Sequence, residues 1–224
     1  MKKIKKEIIN KINSATISRY NKRLAERGAG PYALGWNKKK FQDKRFFDLL
    51  HVIEPEDLNG KTILDIGCGL GDLYEFISKH GYKVKKYIGT DINENFINIA
   101  KKKFPKGKFF VADLMTNNKN VPIADTGIAL GVINFKQKNH KKYAEEFIKS
   151  SFAAVRNVLI INVISDIHNE NYPRESFINY YSPAKILAYA QKLTPFCSLI
   201  QDYAAEPQYE FMLIMRKKPW KNLK

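Results

Sequence analysis

The sequence predicts an α/β fold: a seven-stranded, mostly parallel sheet with helices on both faces and an antiparallel C-terminal hairpin strand. Three observations carry this. From Lys61 onward, strand-like and helix-like segments alternate. The strands are near-continuous apolar runs, such as "VLIINVI", as strands covered on both faces must be. The last two strands, "FCSLIQDYA" and "YEFMLIMRK", have no helix between them. Only "AEPQ" joins them, which predicts a hairpin that adds an antiparallel strand at one sheet edge.

The elements follow in order. Residues 3–27 read as a basic helix with Ile4, Ile8, Ile12 and Ile17 among its apolar positions. Glu26 to Trp36, "ERGAGPYALGW", is a turn-rich connection. "NKKKFQDKRFFDLLHVI" is a second helix, with Asn37 as N-cap and an apolar face of Phe41, Phe46, Leu49 and Leu50. Residues 1–58 are therefore expected to form a helical cap and residues 59–224 the sheet domain. In that domain "KTILDIG", "KYIGTDI", "GKFFVAD", "DTGIALGVINF" and "NVLIINVI" are strands. "DLYEFISKH", "ENFINIAKKKF", "HKKYAEEFIKSSFAAV" and "SPAKILAYAQKL" are helices. Gly81 closes the first of these, and Ser182 with Pro183 opens the last.

Composition excludes several classes. No apolar run approaches the roughly 18 residues of a membrane helix. The N-terminus "MKKIKKEIIN" has no apolar core of a signal peptide, so a cytoplasmic protein is expected. Cys68 and Cys197 are far apart and form no CxxC pair, which leaves no disulfide framework or metal site to expect. The net charge of +17 rests on 32 Lys and 7 Arg. Residues 1–45 hold 14 of these cations against 3 acids. That concentration reads either as a solvated surface or as a basic face for an acidic partner such as RNA.

The chemistry concentrates at "ILDIGCGLGD", Ile63 to Asp72, a strand entering a glycine-rich turn and then a helix. Gly67, Gly69 and Gly71 let the chain turn sharply and let a ligand approach the backbone. The G-x-G-x-x-G pattern of dinucleotide folds is not met, because Asp72 stands where its last glycine belongs. A pyrophosphate would be repelled by Asp65 and Asp72, whereas a cationic ligand would not. This disfavours a nicotinamide dehydrogenase. Asp91 ends the second strand, suited to two ribose hydroxyls, and Asp113 ends the third, suited to an adenine amino group. All three acids fall at the carboxyl edge of the sheet, where open α/β folds bind ligands.

These motifs resemble a class I S-adenosyl-L-methionine-dependent methyltransferase, whose sheet is Rossmann-like. "LDIGCGLGD" is similar to that family's first motif, "TDI" to its ribose-binding position and "ADL" to its adenine-edge position. The resemblance implies that Gly67, Cys68, Gly69 and Gly71 line the methionine and ribose portions of the cofactor. It places Asp65 at the amino end, Asp91 and Ile92 at the ribose, and Asp113 and Leu114 at the adenine. Gly131 to Asn134 would lie beside the sulfonium. The lead-in "YALGWNKKKFQDKRFFDLL" resembles a group of uncharacterised bacterial members in which a Gly-Trp turn precedes a Gln-x-x-Arg helix. That implies that Arg45 or Gln42 faces the cofactor, with Arg45 able to pair with its carboxylate.

The acceptor side is read from "SDIHNENYPRESFINYYSP", Ser165 to Pro183. His168 is the candidate base, with Tyr172, Tyr180 and Tyr181 as pocket walls, Tyr181 a second catalytic candidate. Trp36 and Tyr20 are candidate lid residues. The "[ND]PP[YF]" segment of amino-directed nucleic-acid methyltransferases is absent; "LGVINF" stands in its place. The expected activity is methyl transfer to oxygen or nitrogen of a small molecule or glycan-type metabolite. The alternatives are an RNA methyltransferase that uses Lys2, Lys3, Lys5, Lys6, Arg19, Lys22 and Arg23, or a non-catalytic protein that binds S-adenosyl-L-methionine.

Overall fold

The computed structural model describes residues 4–36, 38–116, 121–203 and 208–220. The N-cap expected at Asn37, the cations Lys2 and Lys3, and residues 205–207 of the hairpin connection lie outside these residues. Two long helices open the chain, α1 (Lys6–Arg27) and α2 (Lys39–Val52), followed by one turn, α3 (Pro55–Leu58). Five strands and three helices alternate next: β1 (Thr62–Ile66), α4 (Asp72–Lys79), β2 (Lys86–Asp91), α5 (Glu94–Lys103), β3 (Lys108–Val111), β4 (Ala124–Leu130), α6 (His140–Ala153) and β5 (Val155–Ile164). Helix α7 (Pro183–Ala190) and strands β6 (Cys197–Ile200) and β7 (Glu210–Arg216) complete the described fold.

The seven strands form one sheet in the order β3-β2-β1-β4-β5-β7-β6. The first five are parallel, and β7 runs antiparallel to both β5 and β6. The hairpin is as expected, but its reversed strand does not lie at the edge. Strand β7 inserts between β5 and β6, with Ile160 opposite Ile214 and Leu199 opposite Leu213. Its composition explains the placement: Glu210 through Met215 are all buried, whereas β6 is only partly covered. A strand whose interior, Phe211 to Met215, is apolar on both faces needs neighbours on both sides. Strand β4 is also shorter than its sequence suggests. It ends at Leu130, because Gly131 takes φ +70° and breaks the ladder.

Each sheet face carries its own apolar layer. Ile9 of α1, Phe147 and Ile148 of α6 and Ile186 of α7 pack on one face. Phe46 and Leu49 of α2, Leu73 and Phe76 of α4 and Ile97 of α5 pack on the other. Both N-terminal helices thus contribute to the layers that cover the sheet. Far from the glycine turn, Arg216 reaches back to α3 and makes two hydrogen bonds to the buried Asp57 carboxylate, at 3.1 and 2.6 Å. Replacing Arg216 with Ala leaves that carboxylate buried and unpaired. Urea unfolding is expected to show a loss of roughly 3–5 kcal/mol, the range for one half of a buried ion pair.

Candidate functional site

The doubly wound order puts a crossover point between β1 and β4, and the chain ends of β3, β2, β1 and β4 line one edge. Asp113, Asp91, Asp65 and Gly131 therefore come together, though 48 residues separate the first acid from the last in sequence. They border a cavity of about 180 Å³. Its floor is the turn from Ile66 to Gly69, and its roof is Thr16, Ile17 and Tyr20 of α1. Gly67 and Gly69 take φ +74° and +53°. A Cβ on Gly67 would stand 2.6 Å from Val132, and one on Gly69 would stand 2.8 Å from Leu34. The turn is thus a narrow cradle that only bare backbone leaves open.

The acids hold the cradle and charge it. Asp91 accepts from the backbone N–H of Gly69 at 3.0 Å and of Asn93 at 2.8 Å, tying the turn to β2 and to the start of α5. Burial pushes its carboxyl up to about 6, against the pull of those N–H groups. Burial likewise pushes Asp65 up to about 7, while the hydrogen bond from the Tyr87 hydroxyl pulls it down and the charges of Asp91 and Asp72 add to the rise. Neither Asp65 nor Asp91 has a cationic partner among the described residues. Asp72 differs: Lys103 sits 2.6 Å from it and Gln42 donates to it at 3.1 Å.

Asp113 accepts from the Met115 N–H at 2.8 Å, from the Thr116 hydroxyl at 2.5 Å and from the Asn13 side chain at 2.8 Å. Asn13 in turn accepts from the Tyr143 hydroxyl at 3.1 Å. Two helical turns on, Asn21 accepts from Asn93 and Asn95 at 2.9 and 3.1 Å. Two asparagines thus fasten α1 across the mouth. Sequence reasoning missed both. The spacing of Asn13, Ile17, Tyr20 and Asn21 on one helical face was the available signal.

Of the residues expected at the site, Asp65, Gly67, Cys68, Gly69, Asp91, Ile92, Asp113, Leu114, Gly131, Arg45 and Trp36 all border this cavity, with Gln42 and Tyr20. Gly71 does not. It takes φ +82° at the start of α4, with Phe104 and Phe109 against the position of a Cβ. Burial and nearby carboxylates push the Cys68 thiol well above its ordinary value, so it packs and does not react. Arg45 is already paired, with the Glu210 carboxylate, and lies 4.2 Å from the Trp36 ring centroid. Glu210, which accepts from Asn162 at 2.9 Å, was read only as a strand residue in the sequence.

The two catalytic candidates are not brought to the cavity. His168 is exposed on the connection after β5 and borders none of the described cavities. Tyr181 is buried, and its hydroxyl donates to the Ile133 carbonyl at 2.9 Å. Burial raises its pKa, so it braces the segment after β4 as a neutral phenol. The Tyr180 hydroxyl accepts from the Glu175 N–H at 2.8 Å, a loop contact of the same kind. Among the described residues no cluster of His, Cys, Asp and Glu could hold a metal ion, and no helix is long and apolar enough to cross a membrane.

The cavity lies at the carboxyl edge of a seven-stranded doubly wound sheet, the edge at which open α/β folds bind their ligands. Residues 63–159 match the family described as Methyltransferase domain. The ubiquinone/menaquinone biosynthesis C-methyltransferase of Campylobacter jejuni is 28% identical over 123 residues, 52% of this chain and 47% of that protein. The ribosomal RNA small subunit methyltransferase A of Mesomycoplasma hyopneumoniae is 33% identical over 87 residues, 39% of this chain and 28% of that protein. The chain spans about half the length, or less, of these curated relatives. In fold it is similar to the magnesium protoporphyrin IX methyltransferase of Synechocystis, with a TM-score of 0.67 and 16% identity over 96% of this chain and 100% of that one. The matched domain spans the strands that build the cavity, and the solved structure shares the fold of the whole described sheet.

The raised acid at Asp65 has a consequence for stability. A carboxyl whose folded pKa lies above its unfolded value stabilises the fold at low pH and loses that contribution as pH rises through the folded value. Between pH 5 and pH 8 the wild type is expected to lose roughly 1–3 kcal/mol relative to Asp65→Asn, since each pKa unit is worth about 1.4 kcal/mol. Urea unfolding of both proteins at the two pH values measures it. A constant difference would show that Asp65 ionises normally.

Proposed function

We propose that the protein is an S-adenosyl-L-methionine-dependent methyltransferase that acts on a small molecule by in-line transfer to oxygen or nitrogen. The observation that carries the reading is the cradle itself: bare backbone under a cavity whose acids, the buried Asp65 and the half-buried Asp91, have no ion-pairing cation among the described residues. Such a site suits a ligand that is cationic at one end and carries ribose hydroxyls. The solved Synechocystis relative is described with bound S-adenosylhomocysteine or S-adenosylmethionine, which supports the same ligand here.

Within this reading Gly67, Cys68 and Gly69 offer backbone to the ligand, Asp65 faces its ammonium, Asp91 and Ile92 hold the ribose, and Asp113 and Leu114 meet the adenine. Gly131 and Trp36 border the methyl end. The bound cofactor supplies an electrophilic methyl on a positive sulfur, whose S–C bonding pair stays with sulfur as the acceptor's lone pair takes the methyl. The chain's own part is positioning and exclusion of water, which supplies several kcal/mol of a barrier when reacting atoms are aligned. Residues 1–58 serve as the cap, with α1 as its roof. The buried neutral phenol of Tyr181 and the exposed His168 leave no side chain assigned as general base.

The ribosomal RNA relative favours RNA as a second acceptor class. Against it, the basic helix does not present one cationic face. Lys22 pairs outward with Glu26, whereas the Arg19 and Arg23 guanidiniums lie on the rings of Phe135 and Phe177.

Calorimetric titration with S-adenosylmethionine, S-adenosylhomocysteine and NADH tests the proposal. The first two are expected to bind in the micromolar range and NADH not at all. Asp91→Ala is expected to weaken both by roughly 1–3 kcal/mol, the range for lost bonds to a charged group. Binding of NADH with no response to the sulfur ligands would overturn the reading.

A further inference from the structure

A second cavity, of about 150 Å³, lies against the first and shares Tyr20, Trp36, Arg45, Gly131 and Phe135 with it. Its remaining wall combines rings with charge: Phe41 and Phe177 beside Arg23, Glu175 and Glu210. Arg45 and Glu210 neutralise one another there. Arg19 and Arg23 of α1 have no such close partner among the described residues, though Glu175 acts on Arg23 from the same wall. The Arg19 guanidinium lies 4.5 Å from the Phe135 ring centroid and 4.9 Å from that of Phe177, and Arg23 lies 5.4 Å from that of Phe135. Both side chains are half-buried. Neither has a carboxylate within 4 Å among the described residues.

Taking the methyltransferase reading as given, we propose that this second cavity is the acceptor site and that it takes a small molecule with a carboxylate or phosphate on a ring-sized apolar body. Arg23 on the wall holds the anion, with Arg19 adding its charge from the Phe135 and Phe177 rings, and Phe135, Phe177, Phe41 and Trp36 hold the body. A guanidinium laid on an aromatic face keeps its in-plane N–H donors for another partner. Two such groups side by side, partly stripped of water, repel one another, and an anion relieves both costs at once. Glu175 on this wall offsets Arg23 in charge, as Glu210 offsets Arg45, and Arg19, lying on the Phe135 and Phe177 rings that line the cavity, tips the balance positive. The shared wall places the bound molecule next to Gly131, where the cofactor's methyl end is assigned. The N-terminal concentration of positive charge gains a specific use, since two of its arginines turn inward.

The test is calorimetric titration of the full chain with benzoate, phenyl phosphate and the neutral isostere benzamide, with and without saturating S-adenosylhomocysteine. Both anions are expected to bind at least about tenfold more tightly than benzamide, as charge-assisted pairing requires. Arg23→Gln and Arg19→Gln are each expected to weaken anion binding by about tenfold, with Arg23→Lys retaining part of it. Affinity for S-adenosylhomocysteine should be the same in all three variants. That control separates the two readings: loss of cofactor binding in the wild type would strike the methyltransferase proposal, and the anion titration would still stand in its absence. Equal binding of benzamide and benzoate, anion binding untouched by both Gln variants, or no binding of any probe would overturn the acceptor assignment.

Discussion

Asp65, buried, and Asp91, half-buried, sit at the carboxyl ends of two adjacent parallel strands, with no ion-pairing cation of the protein's own among the described residues. Burial resists the ionisation of both, and the charges of Asp91 and Asp72 add to the rise at Asp65, so both are displaced toward neutral pH. The surrounding structure holds them in place regardless. Tyr87 donates to one; the backbone of Gly69 and Asn93 donates to the other. The second set of bonds also sets the path of the glycine turn. The cradle and the charge above it are one construction, and a cationic ligand completes it.

Helix α1 makes that construction a closed site. Ile4 and Ile9 anchor it to the apolar layer of the sheet, and Asn13 and Asn21 fasten it across the strand ends. Because Asn13 bonds to Asp113, the helix meets the carboxylate that the adenine edge is assigned to meet. Arg19 and Arg23, about two and three turns further on, lie at the neighbouring cavity, Arg23 on its wall and Arg19 on the Phe135 and Phe177 rings that line it. A single helix thus borders both compartments: the strand ends supply the acidic charge at the glycine turn, and the helix supplies the basic charge beyond it.

The parallel core was legible because its signals are local. Alternating apolar runs marked β1 to β5, and "LDIGCGLGD", "TDI" and "ADL" placed three acids on one edge once the strands were parallel. The place of β7 was not legible. Strand order depends on which apolar surfaces meet, and its sequence shows only an apolar run, Phe211 to Met215, between two charged ends. The same limit hid the roles of Asn13, Asn21 and Glu210, whose partners are distant in the chain. It also misplaced His168 and Tyr181. A histidine or tyrosine in a polar connection reads as chemistry, but the fold turns one outward and spends the other on the Ile133 carbonyl.

The account depends on the acids being partly protonated until a cation arrives. Calorimetry of S-adenosylmethionine binding at pH 6, repeated in buffers of different ionisation enthalpy, counts the protons exchanged. With Asp65 raised to about 7 and Asp91 to about 6, on the order of one proton should be released for each ligand bound. Tight binding with no proton release would contradict the account, because it would mean that both carboxylates were already ionised and that the cavity was not charged by its ligand.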